Sequence, residues 1–446
     1  MAAPHNHGEH RTLPATRPAR PAAIRFIFIT LLLDVLGFGL LIPVGPRLVQ
    51  GLMNGGHGAT DAEVTPVFGV LMSTFYVMMF LFAPLLGAIS DRVGRRPVIL
   101  VSLLGSGLDY FAQAFAPTLA WLFVTRAING LTGASFTVCS AYVADVTPPD
   151  KRAAGFGMIG AAFGLGFVLG PLIGGYLGSP DNIIPFIGPG DVHYPFIAAG
   201  CLSIINWLYG LMILPESLPR ERRSARIEWR KANPIGMLPR LASYPKVASL
   251  AASLFLLNLA MYALHATWAK YTEHRYGWGT ETIGLSLFTV GLGAAIVQGG
   301  LTRRIVPWLG EPRSLLIGLG IGVLAYLGYA FAPHGWMIFV VIAFASLGGI
   351  AQPASQAIIT KAVRPDEQGA IQGAITSLGS LAGIFGPAAG GWVFGYFISD
   401  RAPFHLPGAS FVMSSALSLL GAIVAAYALY RHRDRPPTPA GHAREG

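Results

Sequence analysis

Long apolar stretches separated by short polar or charged segments dominate the pattern along this chain. About 20 apolar residues is the length at which an α-helix crosses the hydrocarbon core of a bilayer. Twelve such runs begin near Ala23, Pro66, Pro97, Leu119, Ala153, Tyr194, Lys246, Thr282, Arg313, Gly335, Gln368 and Pro407. The one long polar stretch, PESLPRERRSARIEWRKANPIGMLPR over 215–240, has six runs on either side. The pattern therefore predicts an all-α membrane protein of twelve transmembrane helices in two six-helix bundles. Its expected parts are a tail over 1–22, bundles over 23–214 and 246–430, a basic amphipathic linker over 215–245 and a tail over 431–446. The first run follows an arginine-containing tail and ends without a small-residue cleavage site, so a retained helix is expected and not a signal peptide.

The two halves also resemble each other in detail. Gly170-Pro171-Leu-Ile-Gly174-Gly175 in the fifth run recurs as Gly386-Pro387-Ala-Ala-Gly390-Gly391 in the eleventh, at an offset of 216 residues. Ser135 corresponds to Ser355 at an offset of 220, and the segment from Gly87 to Pro97 is echoed by Gly300 to Pro312, which keeps Arg303, Arg304 and Gly310. Parallel six-span repeats are how many secondary transporters place a substrate site between two bundles that rock about it.

Composition agrees with a membrane assignment: 53% of residues are hydrophobic, 12% are charged and mean hydropathy is +0.55, whereas soluble domains carry about 25% charged residues. Many of the 56 glycines and some of the 33 prolines sit within the apolar runs, where they read as packing and hinge devices. Cys139 and Cys201 supply neither a disulfide framework nor a four-ligand metal site. With both termini cytoplasmic, 26 of the 31 Lys and Arg fall on cytoplasmic segments, as the positive-inside tendency requires. That asymmetry accounts for the net charge of +10 without a nucleic-acid partner. The expected location is a membrane crossed many times, with lipid as a partner and no obligate protein partner.

The segment after the second run reads Gly87-Ala-Ile-Ser-Asp91-Arg92-Val-Gly94-Arg95-Arg96-Pro97. Gly94 permits a left-handed turn, Pro97 suits a helix start, the arginines can cap carbonyls of the second helix, and Asp91 can take a charge-assisted bond. We read Asp91, Arg92, Gly94, Arg95 and Arg96 as a conformational latch, the alternative being a short cytoplasmic loop that merely collects arginines. The fifth run spaces Gly166, Gly170 and Gly174 on one face, beside Pro171 and Gly175, and its twin carries Gly386, Pro387, Gly390 and Gly391. Small faces let helices approach closely, so both helices are expected at a moving contact between the bundles.

Ionisable groups inside apolar runs are costly, roughly 2.5 kcal/mol or more at a helix centre, and mark function by default. Asp34, Asp109 and Arg126 are the ones placed for proton coupling or substrate binding, with mutual pairing the alternative for Asp109 and Arg126. The second half has no carboxylate away from its span ends. His265, Gln298, Gln352 and Gln356 are candidates to line the cavity, with helix-to-helix hydrogen bonding the alternative. Gly155 to Gly160 spells GxGxxG but lies inside an apolar run, so no nucleotide fold is implied. His5, His7 and His10 read as part of a polar tail, and neither a metal site nor a cofactor is expected.

These residues resemble the major facilitator superfamily, and within it the bacterial tetracycline/proton antiporters. The resemblance rests on Leu33-Asp34-Val-Leu-Gly37-Phe-Gly39, GAISDRVGRRPVIL, Gly107-Leu108-Asp109-Tyr110, Arg126-Ala-Ile-Asn-Gly130 and GLGFVLGPLIGG in the first half. In the second half it rests on Thr272-Glu273-His-Arg275-Tyr-Gly-Trp278 and Glu367-Gln368-Gly-Ala-Ile-Gln-Gly373. It implies the major facilitator fold and export of a magnesium chelate of tetracycline as a proton enters, driven by the proton gradient. Asp34 and Asp109 would participate, with Asp91, Arg95 and Arg126 supporting the cycle. One departure is that 313–332, the ninth run, lacks the carboxylate those pumps carry. No HExxH, GxSxG or paired-cysteine site points to an enzyme. A passive channel has no need of matched bundles, a charged latch and buried acids, so the expectation is an exporter of tetracycline or of another amphipathic drug or metabolite.

Overall fold

The computed structural model describes residues 21–53, 58–133, 135–147, 152–224, 236, 238–364 and 367–431. The three tail histidines and most of the linker's basic run lie outside them. The first half comprises α1 (Pro21–Leu41), α2 (Gly45–Leu52), α3 (Asp61–Val93), α4 (Arg95–Ala114), α5 (Leu119–Thr132), α6 (Ser135–Val146), α7 (Arg152–Leu177) and α8 (Tyr194–Ile213). The second comprises α9 (Pro245–Tyr276), α10 (Thr280–Ile296), α11 (Thr302–Leu309), α12 (Glu311–Phe331), α13 (Gly335–Leu347), α14 (Ala351–Ala362), α15 (Gln368–Ile398) and α16 (Ala409–Arg431). A two-residue hairpin, β1 (Ile183–Ile184) with β2 (Gly188–Pro189), decorates the α7–α8 connection.

Among the described residues, ten helical stretches are each long and apolar enough to span a bilayer, and α1 with α2 forms an eleventh, bent by 51°. The break is local chemistry: Pro43 disfavours helical backbone at Ile42 and has no N–H to donate. α5 and α6, separated around Gly133, together take the place of the fourth span. The tenth span is likewise two helices, α13 and α14, joined by a 3-10 turn at Gly348–Ile350, and the eighth joins α10 to α11 through a π-turn at Val297–Leu301. The second span starts at Asp61, five residues before the expected Pro66, because Thr60 and Glu63 form a reciprocal capping box there. Pro66, the sixth residue of α3, therefore lies inside the helix.

Lipid tails supply no hydrophobic force between helices, so close backbone approach decides the packing. α7 and α15 sit in matching places. Gly170 and Gly174 lie against Leu36, Gly39 and Leu40 of α1, and Gly386 and Gly390 against Leu259, Tyr262 and Ala263 of α9. On their other sides, Gly175 meets Thr280 and the Pro171 carbonyl meets Gly284 of α10, while Gly391 meets Thr65 and the Pro387 carbonyl meets Gly69 of α3. Each repeat thus sends one glycine-rich helix across to the other half.

These crossings cluster toward the face opposite the one where α1 begins and α16 ends. There an apolar cluster around Trp268, Tyr271, Tyr329 and Phe411 also takes in Ile42, Phe38 and Phe167 of the first half. Toward the terminal face the halves part. Gly160, Gly164, Gly299 and Gly300 have nothing within 4 Å of an added Cβ, and among the described residues the extensive packing of α5, α6, α11 and α14 lies within their own halves.

Candidate transport site

α4 carries Asp109 and Gln113 one turn apart, so both project from the same face. Gln113 Nε2 donates to Asp109 Oδ2 at 2.5 Å, while Asp109 Oδ1 is buried without a hydrogen-bond partner. Arg126, on α5, is also buried. Its Nη2 lies 3.2 Å from Met72 Sδ and its guanidinium carbon 5.5 Å from the centre of the Phe75 ring, both on α3. A cation over an aromatic face is stabilised by the ring quadrupole, by about 2 kcal/mol when desolvated. The ion pairs within 4.0 Å among the described residues do not include one between Asp109 and Arg126. Arg126 and Gln113 line a cavity of about 20 Å³ with Phe38, Phe68, Leu71 and Met72, room for about one water.

Asp34 is half-buried on α1. One turn on, the Tyr110 hydroxyl lies 2.6 Å from where a Cβ on Gly37 would sit. Asp34 and Asp109 both lie within electrostatic reach of Tyr110.

His265 belongs to a chain of rings crossing between the halves. Tyr76 of α3 stands 4.8 Å from Tyr262 of α9, Tyr262 6.3 Å from His265, and His265 5.7 Å from Phe167 of α7. Tyr76 also packs against Gly383 of α15. Such a cluster offers flat apolar faces with polar edges. Gln356 accepts from Gln372 of α15 at 2.9 Å, a helix-to-helix bond within the second half, and Gln298 and Gln352 are exposed.

At the terminal face Arg95 is the centre of the charged turn. It pairs with Asp91 at 2.6 Å and Asp145 at 3.2 Å and donates to Ser90 Oγ. Gly94 has φ +110° and ψ 159°, a backbone region open essentially to glycine, and a side chain there would also strike Glu216 and Arg223. Glu216 Oε1 accepts from the Arg95 backbone N–H at 2.8 Å, placing a carboxylate at the positive end of α4. Ser217 donates to Asp145 at 3.2 Å, and Ser224 N–H donates to the Asp91 carbonyl at 2.9 Å. The linker's first residues are therefore docked on the turn, which the sequence reading missed. Arginine caps were expected at the end of the second span, but Arg96 reaches the Leu211 carbonyl at the end of α8, at 2.9 Å; Arg92 is exposed. In the second half Gly310 repeats the Gly94 geometry with φ +79° and ψ 153°, and Glu311 pairs with Lys361 at 2.6 Å.

The sequence reading also passed over a cluster at the opposite face, where Lys270 is buried between the two halves with Asp61 3.0 Å and Glu273 3.1 Å away. The available signal was a lysine three residues before a glutamate within an apolar run.

Comparison with known proteins agrees with this architecture. The family model of the Major Facilitator Superfamily matches residues 27–387 and again 334–446. The chain is 37% identical to the class C tetracycline resistance protein of Escherichia coli over 365 residues, 82% of this chain and 88% of that protein. It is 33% identical to the Escherichia coli class B protein, over 82% and 87%. The solved structure of the human organic anion transporter MFSD10 superposes with a TM-score of 0.68 at 26% identity, covering 92% of this chain and all of that one. With two six-span halves, buried charge in the first and the likeness of sequence and fold together, this chain is a membrane transporter, not an enzyme, and belongs to the major facilitator superfamily.

Proposed function

We propose that the chain is a proton-driven exporter of tetracycline, carried as its magnesium chelate, in a bacterial inner membrane with both termini cytoplasmic. The observation that carries this reading is the 37% identity to a tetracycline resistance protein over 82% of the chain. In this orientation the closed face is the outer one and the structure is inward-facing. A planar polycyclic drug enters from the cytoplasm and lies against the Tyr76, Tyr262, His265 and Phe167 rings. A proton passes by way of Asp34 on α1 and Asp109 on α4, the two carboxyls carried inside spans of the first bundle. In proteoliposomes, tetracycline with magnesium moving down its gradient drives counter-movement of protons, and Asp34→Asn abolishes it. Undiminished proton movement in Asp34→Asn removes that residue from the coupling path.

A second reading, export of another amphipathic drug bearing negative charge, is favoured by Arg126, a buried cation lining the first-half cavity, and by the likeness to an organic anion transporter. Drug accumulation in cells expressing the protein separates the two. The first reading requires uncoupler-sensitive exclusion of tetracycline. Unchanged tetracycline accumulation with extrusion of an anionic compound selects the second.

A further inference from the structure

The face at which the halves meet carries a charge cluster outside the transport site. Lys270 of α9 is 1% exposed, and its ammonium contacts Asp61 Oδ1 at 3.0 Å, Glu273 Oε2 at 3.1 Å and Gln50 Oε1 at 2.6 Å. Gln50 is held in place by its own donation to the Ala59 carbonyl at 2.9 Å. Arg47 of α2 crosses the other way to Glu273 at 3.1 Å, and His274 Nδ1 lies 3.2 Å from Asp61 Oδ2 with its ring 5.7 Å from His405. Two further charges nearby are engaged at home: Glu63 caps its own helix at Thr60, and Arg275 donates to the Ala332 carbonyl at 3.1 Å. Beside the cluster, the close approaches of Gly391 to Thr65 and Gly395 to Ala62 join α15 to α3.

We propose that Lys270, with Asp61, Glu273 and Arg47, forms a charge lock that holds this face closed and must open and re-form in each transport cycle. Two features suit it to reversible use. Each half contributes one cation and one anion, Arg47 with Asp61 and Lys270 with Glu273, so separation strands no net charge from these four groups on either side. Lys270 also keeps Glu273 when the halves part, because the two are three residues apart on one helix. The cross-bonds from Lys270 to Asp61 and Gln50, and from Arg47 to Glu273, exist only while the face is shut. The inference rests on the transporter reading only in requiring that the halves move; it is independent of drug and proton.

The test is pulsed dipolar spectroscopy on the full chain in lipid nanodiscs, without drug or gradient. Cys139 and Cys201 are replaced, and nitroxides are placed at Asp181→Cys and His334→Cys, exposed sites on the two halves at this face. The short-distance population is expected to dominate. Lys270→Gln should raise the ratio of long to short distances by about ten-fold or more, and Asp61→Asn should do the same. The double variant should open the face no further than either single change, because the two residues share one interaction. Arg47→Gln, at the rim, should open it in part and guards against a Lys270 variant that fails to fold. Glu63→Gln should leave the distribution unchanged. Unaltered distances in well-folded Asp61→Asn and Arg47→Gln proteins, or fully additive effects in the double variant, overturn the proposal. A protein that does not transport tetracycline but shows these shifts keeps the lock and loses only the substrate reading.

Discussion

Asp91 and Arg95 stand one helical turn apart on either side of Gly94, paired at 2.6 Å, with the Asp91 side chain 47% exposed. A pair that open to solvent contributes about 0–1 kcal/mol to folding, and Arg95 keeps Asp145 when Asp91 is neutralised. Asp91→Asn should therefore insert and fold normally. If the turn is a conformational latch, the loss falls on transport, by more than about ten-fold, the factor that roughly 1.4 kcal/mol makes in a balance between two states. Quantified membrane expression alongside drug accumulation checks this; full efflux at wild-type expression excludes the latch. Gly94 is a different case, since its positive φ and the carboxylate of Glu216 against it both exclude a side chain.

For the helices, the glycines of α7 and α15 divide by what they touch, although their spacing in the sequence looks uniform. An added methyl on Gly175 or Gly391 would come 2.5 Å from a backbone carbonyl of the other half, Thr280 or Thr65. One on Gly164 would meet nothing within 4 Å. We expect Gly175→Ala and Gly391→Ala to wedge the halves apart at the closed face while each bundle stays folded. Gly164→Ala should leave this state untouched, and Gly170→Ala should disturb the α1–α7 packing inside the first bundle, where Leu36 and Gly39 crowd it. Thermal unfolding in detergent together with inter-label distances separates these outcomes. Equal effects of Gly164→Ala and Gly391→Ala would remove the distinction.

Across the whole molecule, the two halves touch at one face and part at the other, so a solute can pass only if the contact transfers from one face to the other. Which face points inward follows from the positive residues. Reporters fused after Arg240 and after Tyr430 should both register as cytoplasmic. An exported signal at either place inverts the orientation and turns the lock at Lys270 toward the cytoplasm.

The apolar runs determined the fold class by themselves, because a bilayer accepts only helices that satisfy their own backbone hydrogen bonds and reach across about 30 Å. Eleven of the twelve spans begin within a few residues of the start their runs predict, the exception being α3, where a capping box at Thr60 outweighed hydropathy. The repeat was equally legible: the Gly-Pro strings of α7 and α15 match in sequence and occupy matching places, and Gly94 and Gly310 share an unusual backbone. What the chain alone did not decide was partnership. Hydropathy ranks Lys270 as one charge near a span end with Glu273 three residues on, and only the crossing of α2, α3 and α9 adds Asp61 and Gln50 to it. Asp109 and Arg126 invited pairing because both are charged and buried; they stay within electrostatic reach of each other, yet the packing of α4 and α5 gives one a glutamine in direct contact and the other a methionine and a phenyl ring. Periodicity and length are local and can be read along a chain. The company a buried charge keeps depends on helix rotation and depth, which many side chains set together only when the helices pack.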